Sequence, residues 1–159
     1  MSRRAGTSPR YPRRGEGKPD DEEHSAGGVV RRGEDVLVIV PKRRAADGSR
    51  VLGLPKGHVD GEETPAEAAR REVREEGGVD AELVDDLGEV RYHDRRGGRL
   101  IHKRVRFFLF DYLSGSPADH DHEIAEARWM PIGQAGSALT YQGEREMIAE
   151  ALSKSRADR

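Results

Sequence analysis

Residues 57–79 read Gly57-His-Val-Asp-Gly-Glu-Glu63-Thr64-Pro65-Ala-Glu67-Ala-Ala-Arg-Arg71-Glu72-Val73-Arg-Glu75-Glu76-Gly77-Gly78-Val79. Thr64 suits a helix N-cap, Pro65 suits the first helical position, and Glu67, three residues after the cap, completes a capping box. Gly77-Gly78 ends the helix. At about 100° per residue, Ala66, Ala69 and Val73 share a stripe small enough to lie close against a sheet. Glu72, Glu75 and Glu76 share another, because position 72 lies three and four residues from 75 and 76.

Three carboxylates at that spacing repel one another, so something must compensate them. Arg71 and Arg74 are near in sequence, and a hard divalent cation that prefers oxygen ligands does the same work better. Such a cation also bridges to phosphate oxygens and acidifies a bound water. An acidic helix face that merely points at water has the same pattern, so spacing alone leaves both readings open.

Outward from the helix the chain is rich in strands. Ala26 to Val30 and Asp35 to Val40 read as a hairpin turning at Arg32-Gly33-Glu34, and Val51 to Leu54 as a short strand stopped by Pro55. Lys42 to Ser49 is a polar loop. Ala81 to His93 and Leu100 to Leu113 read as two long strands joined at Arg95–Gly98. Ile101, Val105, Phe107 and Leu109 fall on one face of the second, opposite His102, Arg104 and Arg106. Ala125 to Met130 is another strand, and a helix from about Tyr141 to Ser155 turns Met147, Ile148, Ala151 and Leu152 inward. The pattern implies an α+β fold.

Composition narrows the functions. The 159 residues carry 28 basic and 30 acidic side chains, a formal net charge of −2, which argues neither for nucleic acid nor for a membrane surface, and neither is expected as a general partner. With no cysteine, disulfides and thiolate catalysis are excluded. No apolar run is long enough to span a membrane, and none follows the basic N-terminus as a secretory signal requires, so a cytoplasmic protein is expected. Residues 1–24, with Arg3, Arg4, Arg10, Arg13, Arg14 and Lys18, are expected to form a disordered basic tail. Residues 25–155 are expected to form the folded domain, and 156–159 a disordered end.

The stretch from Gly57 to Val79 resembles the Nudix box, G-x5-E-x7-R-E-U-x-E-E-x-G-U with U apolar, at every specified position. The resemblance implies the Nudix fold, a mixed β-sheet sandwiched between helices (α/β/α). It also implies Mg²⁺-dependent hydrolysis of a pyrophosphate bond in a nucleoside-diphosphate-linked small molecule, with Mn²⁺ as a substitute. By the same resemblance Glu72, Glu75 and Glu76 bind metal, and the main-chain carbonyl of Lys56 joins them. Arg71 orients the glutamates with Glu63 supporting it, and Gly57, Gly61 and Gly78 shape the loop and the helix end. A further carboxylate, ligand or general base, is expected from the loop before a late strand. Glu123 matches it best, with Glu126 as runner-up and His120 and His122 as a further pair that solvation explains better.

The lead-in Leu54-Pro-Lys-Gly-His58 is similar to diadenosine polyphosphate hydrolases and to MutT-like proteins, which makes a dinucleoside polyphosphate the expected substrate. Oxidised or ordinary nucleoside triphosphates and ADP-ribose are the alternatives. Two positions depart from that group: Leu52 stands where a Trp is usual, and a tyrosine expected about seventeen residues past the box falls near Arg96, with Tyr92 the nearest. Lys56, Lys103, Arg43, Arg44 and Arg50 are the candidate phosphate-pairing cations, His58 a phosphate contact, and Tyr92 and Tyr141 the candidate stacking surfaces. A homodimer is compatible with all of this.

Overall fold

The computed structural model describes residues 21–157. Six strands form one sheet: β1 (Asp21–Arg32), β2 (Asp35–Pro41), β3 (Lys56–His58), β4 (Val79–Arg96), β5 (Arg99–Gly115) and β6 (Ile124–Pro131). The helices are α1 (Pro65–Gly77), α2 (Ile132–Ala138) and α3 (Gln142–Ala157), with a single 3₁₀ turn at Pro117–Asp119. The sheet runs β4-β5-β1-β2-β6. β1 lies parallel to β5 along one edge, and its other edge is shared by β3 and β2, both antiparallel to it.

Alternation along β5 explains the layers. Val105, Phe107 and Leu109 face a core completed by Met147, Ile148 and Ala151 of α3 and Ala135 of α2. Phe108 and Phe110 point the other way and pack with Ala68, Ala69 and Val73 of α1. The sheet is therefore covered on both faces, the α/β/α arrangement expected. No helix among the described residues is long and apolar enough to cross a membrane.

Several boundaries differ from expectation. β1 begins at Asp21, inside the segment expected to be a tail, because Asp21 and Glu23 find partners in Arg99 and Arg96, which flank the β4–β5 turn. The remaining tail residues, 1–20, lie outside the described residues. Val51 to Leu54 is not a strand: only Gly53 bridges Ile39, and the pairing that matters starts at Lys56, which opposes Gly27. α3 continues to Ala157, two residues past the expected domain end. α2 is the one helix that periodicity did not reveal; Gly133 and Gly136 make it a weak former, and it holds because Ala135 is buried in the α3-side core.

Candidate active site

The box helix is built as its sequence dictates. Thr64 Oγ1 accepts the Glu67 N–H at 3.1 Å, and Glu67 Oε1 accepts the Thr64 N–H at 2.9 Å. Gly78 takes φ 79°, a left-handed conformation that glycine adopts without strain, and its N–H reaches the Arg74 carbonyl. Fixed at both ends, α1 presents Glu72 buried, Glu76 partly buried and Glu75 exposed.

Arg71 organises the acidic face. Its Nε donates to Glu63 Oε2 at 2.7 Å and its Nη2 to Glu63 Oε1 at 3.0 Å, a bidentate pair. Nη1 donates to Glu72 at 2.9 Å and to Glu75 at 3.2 Å, and Nη2 also reaches the His58 carbonyl at 2.9 Å. Glu63 in turn accepts the Asp60 N–H. Hydrogen bonding to Arg71, helped by that N–H, holds the Glu63 carboxyl down at about 2. One guanidinium thus ties the loop to the helix.

The main chain of β3 runs close beside these carboxylates. The Lys56 N–H donates to Glu76 Oε1 at 3.1 Å. A Cβ on Gly57 would collide with the Glu72 carboxylate, so glycine here leaves that carboxylate in place. The Lys56–Gly57 peptide is therefore held between Glu76 and Glu72. Burial, opposed by the Lys56 N–H and ammonium and reinforced by Glu72 and Asp121, pushes the Glu76 carboxyl up to about 8. Burial foremost also raises Glu72, although Arg71 opposes it.

Asp121 was not among the residues expected here. Its charge acts on both Glu72 and Glu76, and its N–H is fixed to the Glu75 carbonyl at 2.8 Å. Glu123, the expected loop carboxylate, is exposed; its N–H caps onto Asp121 Oδ1 and its carbonyl accepts the Lys42 N–H. Glu126 pairs with Arg128 on the surface of β6, and His120 turns its Nδ1 to the Asp121 carbonyl. The acidic loop was legible in the sequence, but the backbone bond that brings Asp121 to the end of α1 was not.

Glu144 was missed as well. It is a buried carboxylate on α3, accepting the Leu54 N–H at 2.9 Å and lying 3.0 Å from the Lys56 ammonium. Burial opposes the charge on Lys56, but Glu144, with Tyr92 and Glu76, outweighs it and holds the ammonium above the ordinary lysine range. The Lys56 side chain thus points to the α3 side while its main chain serves the box. A Glu in an amphipathic terminal helix carries no sequence signal for this role.

Of the other expected substrate contacts, Tyr92, Lys103 and His58 come together. Lys103 Nζ lies 5.5 Å from the Tyr92 ring centroid, and His58 shares the Glu23 carboxylate with Lys103. Tyr92 also packs against the α3-side core. Tyr141 is exposed where α3 begins, its carbonyl accepting the Glu144 and Arg145 N–H groups. Arg43 and Arg44 are exposed on the loop after β2, where Arg44 folds back onto the Gly48 carbonyl, and Arg50 donates to the Pro41 carbonyl.

The donor set is suited to a hard cation: Glu72, Glu75 and Glu76 offer oxygen alone, and the charges of Glu72 and Asp121 add to the burial that raises the proton affinity of Glu76. Among the described residues no three acidic or imidazole groups already converge on one point. Glu72 and Glu75 are turned onto Arg71, and Glu76 onto the Lys56 N–H.

Comparison with known proteins agrees with this geometry. The family model described as NUDIX domain matches residues 18–151. The chain is 37% identical to a putative mutator protein MutT4 of Mycobacterium tuberculosis, over 94% of this chain and 64% of that protein. It is 33% identical to an 8-oxo-(d)GTP phosphatase of Mycolicibacterium smegmatis, over 81% of this chain and 37% of the relative. The chain thus spans less than two thirds of the length of either relative. A crystal structure of a MutT NUDIX hydrolase from Burkholderia pseudomallei superposes with TM-score 0.67 at 26% identity, covering 81% of this chain and 97% of that one.

Proposed function

The chain belongs to the Nudix family, and from that premise we propose that it is a pyrophosphohydrolase of nucleoside triphosphates, oxidised purine nucleotides among them. The observation that carries the activity is the run of Glu72, Glu75 and Glu76 along one end of α1 beside the Lys56–Gly57 peptide, with Arg71 bonded to Glu72 and Glu75 and the Lys56 N–H bonded to Glu76. Similarity to a protein described as an 8-oxo-(d)GTP phosphatase, and to one described as a putative mutator protein, favours a triphosphate.

In this reading Glu72, Glu76 and the Lys56 carbonyl would hold a divalent cation, Mg²⁺ or Mn²⁺ in its place, with Glu75 closing the set from the solvent side. When bound, the cation neutralises charge on the phosphate oxygens and makes a bound water more acidic. Arg71 keeps Glu72 and Glu75 oriented, and Glu63 keeps Arg71 oriented. Asp121 is assigned the proton of the attacking water in preference to the exposed Glu123, because its backbone is fixed to the Glu75 carbonyl and its charge acts on both Glu72 and Glu76. Water adds to one phosphorus, the bridging P–O bond breaks, and a triphosphate yields a monophosphate and pyrophosphate.

A dinucleoside polyphosphate is the second reading, favoured by the Leu54–His58 lead-in. The two are separated by incubating the protein with Mg²⁺ and oxidised or ordinary nucleoside triphosphates, diadenosine polyphosphates, ADP-ribose and NADH, and resolving products by chromatography. Monophosphate plus pyrophosphate from the oxidised purine triphosphate is expected, and its loss in Glu76→Gln. Turnover of none of these, or wild-type turnover by Glu76→Gln, overturns the activity. Preferential release of AMP from a diadenosine polyphosphate overturns the triphosphate assignment alone.

A further inference from the structure

The sheet face that α3 covers carries a row of charges next to the box. In register, Glu23 of β1 lies opposite Lys103 of β5, and Lys103 lies opposite Tyr92 of β4. The Glu23 carboxylate receives Arg96 Nη2 on one oxygen at 3.1 Å and Arg96 Nη1 on the other at 3.2 Å. His58 Nε2 is 3.5 Å away and Lys103 Nζ 3.8 Å. Lys103 and Glu23 are both mostly withdrawn from water, their side chains 19% and 20% exposed. A guanidinium, an ammonium and an imidazole therefore surround one carboxylate, a planar acceptor with two oxygens and a single charge.

We propose that this cluster is a phosphate subsite, that Glu23 occupies it in the free protein as an internal competitor, and that a phosphoryl group of the substrate's polyphosphate chain takes Glu23's place. A phosphoryl group brings three oxygens and more charge than a carboxylate, so it engages Arg96, Lys103 and His58 together where Glu23 cannot. The position suits this. The His58 carbonyl accepts from Arg71, so β3 carries the box contact on its backbone and the cluster contact on its imidazole. Tyr92 closes the far side of Lys103 with its ring. Burial also holds Lys103 below the ordinary lysine range, so a stronger counter-charge stabilises its ammonium form further. The assignment to a substrate phosphate rests on the nucleotide reading above, whereas anion binding by the cluster does not.

The test uses wild type, Glu23→Gln, Glu23→Ser, Lys103→Met and Glu23→Gln/Lys103→Met, each checked for an unchanged circular dichroism spectrum. Binding of inorganic tripolyphosphate is measured by calorimetry without divalent cation, which separates this subsite from the metal centre. Glu23→Gln and Glu23→Ser should bind it about two- to five-fold more tightly, the range expected for removing one competing, partly screened charge. The gain should shrink in about 0.5 M salt and vanish in the double variant. Unchanged or weaker binding by both Glu23 variants overturns the proposal, and so does a double variant that keeps the gain. With Mg²⁺, KM for a nucleoside triphosphate should fall in Glu23→Gln more than kcat changes. Tighter tripolyphosphate binding with no hydrolysis of any nucleotide would instead count against the pyrophosphohydrolase reading and leave the anion subsite standing.

Discussion

The Lys56 ammonium lies 3.0 Å from one Glu144 carboxylate oxygen, while the other accepts the Leu54 N–H at 2.9 Å. One side chain of the last helix therefore secures both ends of the three-residue segment that delivers the Lys56 N–H to Glu76. Removing it leaves a poorly hydrated ammonium and an amide without their acceptor. Glu144→Ala should lower stability by about 2–3 kcal/mol, read as a shift in urea midpoint. Glu144→Gln keeps an acceptor for Leu54 and should cost less. Equal midpoints for wild type and Glu144→Ala would show that the pair does not secure this segment.

Arg71 supplies donors to Glu63, Glu72, Glu75 and the His58 carbonyl at once. A lysine cannot reproduce that fork. Arg71→Lys should reduce kcat/KM by about 10–100-fold and raise the Mg²⁺ concentration needed for half-activity, while the far-ultraviolet spectrum stays that of wild type. Activity within two-fold of wild type would remove Arg71 from its assigned role.

The carboxyl of Glu76 is pushed up to about 8 by burial first, and Glu72 moves in the same direction. A carboxyl whose folded pKa exceeds its unfolded value binds its proton more tightly when folded. Its contribution is therefore complete below the unfolded value of 4.5 and is lost as pH rises to about 8. The metal-free protein should show a Tm that falls between about pH 5 and 8, recover on addition of Mg²⁺, and lose most of that slope in Glu76→Gln. A flat profile in the wild type would contradict the burial of that charge.

Asp121 and Glu123 can be separated because the Asp121 backbone is fixed to the Glu75 carbonyl whatever its side chain does. Asn at 121 can still accept the Glu123 N–H, so the loop survives the change. Asp121→Asn should lower kcat about 10²–10⁴-fold, the range of a lost general base, and Glu123→Gln should leave kcat within about three-fold, as expected of an exposed side chain. The reverse order of effects would return the role to Glu123.

Gly57 is a steric requirement of the site. A methyl group there meets the Glu72 carboxylate, so Gly57→Ala should displace that side chain from Arg71 and cut activity at least ten-fold, the loss typical when an orienting contact is removed. Because the clash is with a side chain and not with the core, most of the thermal stability should remain. Calorimetry beside an activity assay separates the two effects.

What could be read in the sequence was what depends on neighbours in the chain. The capping box at Thr64 and Glu67, the glycine stop at Gly78 and the shared face of Glu72 and Glu76 are all short-range consequences of helix geometry. The alternation that sends Val105, Phe107 and Leu109 to one core is likewise local. Asp121, Glu144 and Glu23 were hidden because each acquires its role through a partner far along the chain: Glu75, Leu54 and Arg96 respectively. The same reason explains the early start of β1, since Asp21 is held by Arg99 across the sheet.

The parallel pairing of β1 with β5 joins residues 80 positions apart, as in Arg31 with Asp111. Parallel pairing of that span is slow to nucleate, because a long loop must close before any contact rewards it. During synthesis the box helix is complete well before β5 exists to make the middle of the sheet, and Glu144 emerges later still. The acidic helix therefore spends its first moments outside the protein as an exposed, self-repelling segment. Its capping box and glycine stop give it local persistence in that interval, while the chemistry waits for the C-terminal third of the chain.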